Sequence, residues 1–138
     1  MARAGTPPGG YPLKTQDQTG VLSSGQRSAG SFNASAPVYR MAADGAVPIQ
    51  NGTVVFTKGS AIAATLAAPT AAQEGTIMRF VTGSAFAHVL TATALIDNGV
   101  TGGSKSAWTA AAFLGSSLTL LAYNLKWTVL NFNLGAIA

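Results

Sequence analysis

Ser117-Leu-Thr-Leu-Leu-Ala-Tyr-Asn-Leu-Lys-Trp-Thr-Val-Leu-Asn131 is the stretch whose reading decides the fold. Ser117 to Leu120 alternates polar and apolar residues, the period of a strand with one buried face. Lys126 to Asn131 alternates less strictly and adds β-branched and aromatic residues, which suit a pleated, half-buried surface. Between them lies Tyr123-Asn124-Leu125. Two strand patterns around so short a break read as a β-hairpin. Asn124 tolerates positive φ and Leu125 does so poorly, so a longer or bulged turn is expected.

Working outward, the same signals recur through residues 46–138. Asn51-Gly52 is a tight-turn pair, and Thr53 to Thr57 after it is a strand candidate. Ser60 to Leu66 is a second, ended before Pro69, which cannot donate within a ladder. Gln73-Glu74-Gly75 turns into a third, Thr76 to Thr82. Gly83-Ser84 turns into a fourth, Ala87 to Thr93. Residues 106–113 are ambiguous: their alanines favour helix, whereas Trp108, Phe113 and the neighbouring strands favour sheet. Six or seven short strands in this span predict an all-β fold, an antiparallel β-sandwich of jelly-roll-like form. No internal repeat is evident, and a β-solenoid would need one.

Composition narrows the function classes. From Phe80 to Ala138 the only formal charges are Asp97, Lys105 and Lys126. A solvated surface is normally about a quarter charged, so this one must consist of Thr, Ser, Asn and Ala. Such a surface suits a protein that packs against copies of itself or a partner. Cysteine is absent, which excludes disulfides and thiolate metal sites. The first residues hold no apolar run, so no secretory signal is expected. The sequons at Asn33 and Asn51 are read as chance matches. Residues 106–125 are uncharged and nominally long enough to span a bilayer. Their Ser, Thr, Asn and Gly content favours a sheet instead, and no membrane is expected.

Residues 1–45 differ in composition. Gly, Pro, Ser, Thr and Gln dominate, and apolar residues stand alone. Such a segment cannot bury enough apolar area to offset the entropy of ordering it. An extended, irregular N-terminal arm over 1–45 is therefore expected, followed by the β-domain over 46–138. Arg3, Lys14, Arg27 and Arg40 against Asp17 give the first forty residues +3 of the chain's net +4. These cations are spaced singly, unlike the dense basic patch of a nucleic-acid binder, so no nucleic acid is expected as partner.

The search for chemistry yields little. Gly99-Val-Thr-Gly-Gly-Ser-Lys105-Ser106 approaches a phosphate-binding loop, but Ser104 stands where that motif needs glycine. His88 is the single histidine, and the acids are scattered at 17, 44, 74 and 97. A metal site needs several ligands together, so no metal, cofactor or catalytic residue is expected. Trp108, Tyr123 and Trp127 would suit a glycan-stacking platform, or else a core or subunit interface, which is the preferred reading. Phe56, Phe80, Phe113, Leu118, Leu120 and Val129 join them as expected core or interface residues.

Leu66-Ala-Ala-Pro69-Thr70, Gly75-Thr76-Ile77, His88-Val-Leu-Thr91, Gly115 to Leu120, Tyr123-Asn124 and Lys126-Trp127-Thr-Val129 form an ordered set over roughly residues 50–132. This set resembles the small head decoration (cement) or head-fibre proteins of tailed bacteriophages. Members often carry glycine after the Asn of the Tyr-Asn hairpin, where this chain has Leu125. The resemblance implies a non-enzymatic virion protein, trimeric, bound to the outer capsid surface with the major capsid protein as partner. The alternative expectation is a receptor- or glycan-binding module of a fibre or adhesin. On the first expectation the arm binds the shell, with Arg3, Tyr11, Lys14, Arg27, Phe32, Tyr39 and Arg40 as its anchors.

Overall fold

The computed structural model describes residues 36–100 and 102–138. The strands are β1 (Val38–Met41), β2 (Gly45–Ala46), β3 (Gly52–Phe56), β4 (Ala63–Thr65) and β5 (Ile77–Thr82). They continue as β6 (Val89–Asp97), β7 (Lys105–Thr109), β8 (Ser117–Tyr123), β9 (Lys126–Asn133) and β10 (Ala136–Ile137). A 3-10 turn, Ala71–Gln73, precedes β5. The fold is all-β, as expected.

The ten strands join one mixed sheet in place of two antiparallel ones, in the order β10-β7-β6-β9-β8-β5-β3-β1. From it branches a second path, in which β2 pairs β4 and β4 pairs β6. Five of the pairings are parallel: β1 with β3, β3 with β5, β2 with β4, β4 with β6, and β6 with β9. The chain therefore alternates between two parallel ladders, laying down β1, β3 and β5 on one and β2, β4 and β6 on the other. This is rung-like stacking without a sequence repeat. Val38, Thr53 and Arg79 sit side by side, yet the intervals between them are unequal, so no fixed period marks the sequence. The antiparallel part is the β8–β9 hairpin, which closes the first ladder at β5 and meets β6 at Trp127.

Strand alternation sorts the side chains. Tyr39, Val54, Phe80, Leu118 and Phe132 lie in one cross-sheet row. The three central members are buried, and the aromatic at each end is partly open. Ala64, Leu90 and Trp108 form a corresponding row on the second ladder. Trp108, Trp127, Phe56, Phe80, Leu90, Leu118 and Leu120 are fully buried in a single core. Removing a Leu or Phe side chain from water is favourable by about 1.5–3 kcal/mol, so these rows are the main source of stability.

Several sequence expectations need correction. The sheet begins at Val38, ahead of the expected boundary at 45/46, and Met41 belongs to the core. Residues 106–113 divide: Ser106 to Thr109 continue β7, and Ala110 to Ser116 form a loop. That loop is held by a buried polar cluster. Thr82 Oγ1 donates to Phe113 O at 2.6 Å and accepts from Ser116 N at 2.9 Å, while Ser116 Oγ donates to Ala111 O at 3.0 Å. A chain pinned by these bonds cannot form the helix its alanines favour. The β8–β9 hairpin closes with two residues after all. Asn124 and Leu125 both take positive φ, 53° and 62°, the arrangement whose twist matches the flanking strands. Glu74 Oε2 accepts from Asn124 N at 3.0 Å and braces this turn.

Candidate functional site

The one histidine is fully buried immediately before β6. Its ring packs 5.3 Å from Phe56 and 6.4 Å from Phe86, centroid to centroid. Ile62 N lies 3.0 Å from Nδ1. A backbone amide can only donate, so Nδ1 carries no proton and Nε2 does. Nε2 then donates to Ser84 Oγ at 3.0 Å, and Ser84 Oγ donates to Lys58 O at 2.6 Å. Burial holds the His88 pKa below the ordinary histidine value, against a smaller opposing effect of the Ser84 contact. The neutral ring has no free basic nitrogen, and the serine proton faces a carbonyl. A nucleophile–base pair needs the reverse polarity. His88 and Ser84 thus tie together the β3–β4 loop, the turn after β5 and the start of β6.

The Gly-rich loop resolves in a similar way. Ser104 Oγ donates to Asp97 Oδ1 at 2.5 Å and accepts from Lys126 Nζ at 2.7 Å. Asp97 ends β6 and Lys126 begins β9, so the hydroxyl bridges opposite charges across two strands. Lys105 opens β7, opposite Ile96. A phosphate-binding loop would place that lysine at a helix start, and here it opens a strand. Among the described residues no group of three or more His, Asp or Glu side chains could hold a metal ion. No helix among them is long and apolar enough to cross a membrane.

The aromatic platform does not form. Trp108 and Trp127 are fully buried, and Trp127 Nε1 donates to Ala67 O at 2.9 Å. Trp108 Nε1 has no partner, and Gly135 packs against it so closely that an added Cβ would come within 2.9 Å. Of the other expected core or interface residues, Phe56, Phe80, Leu118 and Leu120 are buried, and Val129 packs against the core. Phe113 and Tyr123 stand on the surface, 63% and 61% exposed. Their neighbourhoods explain this: Phe113 sits in the loop fixed by Thr82, and Tyr123 at the mouth of the hairpin turn.

Of the expected arm anchors, Tyr39 and Arg40 lie in β1, while Arg3, Tyr11, Lys14, Arg27 and Phe32 lie outside the described residues. Register separates the two described anchors. Tyr39 joins the core-facing row, and Arg40 points outward in the row Arg40–Val55–Val81–Ser117–Asn133. The next outward row runs Val38–Thr53–Arg79–Thr119–Asn131. Sequence reading missed this grouping, which brings together two arginines 39 positions apart in the chain.

Large apolar side chains are plentiful on the surface. Phe113, Leu114, Phe132 and Leu134 are each 46–68% exposed. They come from the loop before β8 and the end of β9, and register sets Asn133 opposite Ser117, which brings the two segments together. Comparison with protein families, curated proteins and solved structures found no match.

Proposed function

We propose that this chain is a non-enzymatic structural protein of a virion, one that binds the outer surface of a phage capsid and stabilises the shell. The observation that carries the proposal is how the described domain uses its side chains. Its polar groups with chemical potential, His88, Ser84, Asp97, Ser104 and Lys126, are hydrogen-bonded to one another or to backbone. Its apolar groups are the ones left facing outward, Phe113 and Leu114 most of all. Exposed apolar surface of this kind marks association. The ordered sequence set from Leu66 to Val129 supports a phage head protein as the kind of assembly. Closed threefold self-association is the expected state, since a closed ring satisfies sticky faces without open-ended growth.

Two measurements test this. Light scattering on the purified full chain should give the mass of a trimer, and co-sedimentation should show it bound to the capsids of its own phage. A stable monomer that stays in the supernatant refutes the proposal.

A further inference from the structure

The outward face of the β1–β3–β5–β8 ladder has an unusual make-up. A solvated sheet face normally alternates to polar residues. Here the outward positions include Val38, Val55, Ile77 and Val81, set around Arg40 and Arg79. Both arginines are exposed. Among the described residues neither meets a carboxylate, and the salt bridge present there is Lys58–Asp44. Along these strands the outward rows hold no acid at all. Asp97 on β6 ends the neighbouring row Ile77–Leu121–Thr128–Asp97, beyond β8 and β9, and Ser104 already bonds to it.

We infer that this face docks a protein partner whose surface carries carboxylates among apolar side chains. Charge decides the occupant. A second copy, laid face to face, would bring the same two arginines against each other with nothing to neutralise them. Residues 1–35 carry Arg3, Lys14 and Arg27 against Asp17, so they share the face's sign. A nucleic acid would need a denser set of cations and stacking aromatics. On this face Tyr39 and Phe80 turn the other way, into the core row. An acidic protein surface supplies what is missing: carboxylates for bidentate contact with the guanidinium groups and apolar cover for the valines. The inference rests on the assembly role proposed above and names the chemistry of the surface that role would engage.

The test uses the full chain and an immobilised poly(Glu-Tyr) copolymer as the acidic, partly apolar probe. Wild type should bind in a salt-sensitive way. Arg40→Glu/Arg79→Glu should weaken binding by about tenfold or more, the scale expected when docking charges are reversed. Lys58→Glu/Lys105→Glu, which lies outside these rows in the β3–β4 loop and at the start of β7, carries the same change in net charge and should bind nearly as wild type. Circular dichroism melts confirm that both variants fold, and Arg40→Gln/Arg79→Gln replaces the first should it not. Equal losses in the two variants mean a net-charge effect and overturn the inference. So does tighter binding to an oligo-dT strand through the same two arginines. Capsid co-sedimentation separates this inference from the role itself. Shells that hold wild type and Arg40→Glu/Arg79→Glu alike remove the face and keep the role. Copolymer binding through these arginines without shell binding keeps the face and removes the virion role.

Discussion

Replacing His88 tests the reading of its buried ring as structure. In His88→Ala, Ile62 N loses its acceptor inside the protein, a loss of about 1–3 kcal/mol for an unpaired buried group. The missing ring leaves a cavity beside Phe56 and Phe86, which adds about 2 kcal/mol on the scale of large-to-small core changes. The sum, about 3–5 kcal/mol, is a large part of the stability of a domain this size. His88→Asn should recover part of it, because Asn Oδ1 can take the place of Nδ1 as acceptor. The pH dependence is the sharper signature. Burial lowers the folded-state pKa below the ordinary value of 6.5. Above 6.5 both folded and unfolded chains hold a neutral ring, and the full contribution is present. As pH falls below 6.5 the unfolded chain takes up a proton before the folded one, so stability drops, by at most about 1.4 kcal/mol per pH unit. It stops dropping once the folded pKa is passed. His88 is the only histidine in the chain, so the difference between wild type and His88→Asn in urea unfolding from pH 8 to 5 reads this one group. Wild type should lose stability across that window and His88→Asn should lose less. Equal slopes in the two, or equal stability of the Asn and Ala variants, would refute the assignment of Nδ1 as the amide's acceptor.

Three further outcomes follow from the packing. Deleting residues 1–35 should leave a cooperative β-type thermal transition, whereas deleting 1–45 also removes β1 and Met41 and should cost about 2–5 kcal/mol by urea titration. Gly135→Ala puts a Cβ 2.5 Å from Thr109 O at a φ of +116°. It should lower the melting temperature and, by displacing β10, red-shift and expose Trp108 fluorescence. Thr82→Val removes the hydroxyl that accepts from Ser116 N and should destabilise by about 1–3 kcal/mol, with amide exchange rising first in the 110–116 loop.

The hairpin and the core rows were legible because alternation is a local property. Leu118, Leu120 and Trp127 announce their burial by their neighbours in sequence. Strand partnership is not local. Nothing near Val55 says that Arg40 lies on one side of it and Val81 on the other. Short strands at close spacing suggested antiparallel neighbours, but the chain uses each intervening strand to visit the opposite ladder and return parallel. The Arg40–Arg79 face was hidden for the same reason: compositional zoning assigned Arg40 to an arm, and only register sets it beside the ladder. Ser84 and His88 are four residues apart, yet in a chain this rich in serine nothing local marks them as a pair. The polarity of their hydrogen bonds was equally hidden, because it depends on Ile62 N and Lys58 O, both more than twenty residues upstream.

The interleaved strand order also governs how fast the fold is made and lost. No contiguous piece of the chain contains one ladder without strands of the other, since each strand of one is separated from the next by a strand of the other. Early segments must therefore wait for later ones, and β6, which meets β4, β7 and β9, can be seated only near the end. Such long-range pairing slows folding. By the same token neither ladder can be pulled out as one contiguous segment without drawing on strands of the other. A protein built this way owes its persistence to the height of an unfolding barrier as much as to the depth of its energy well.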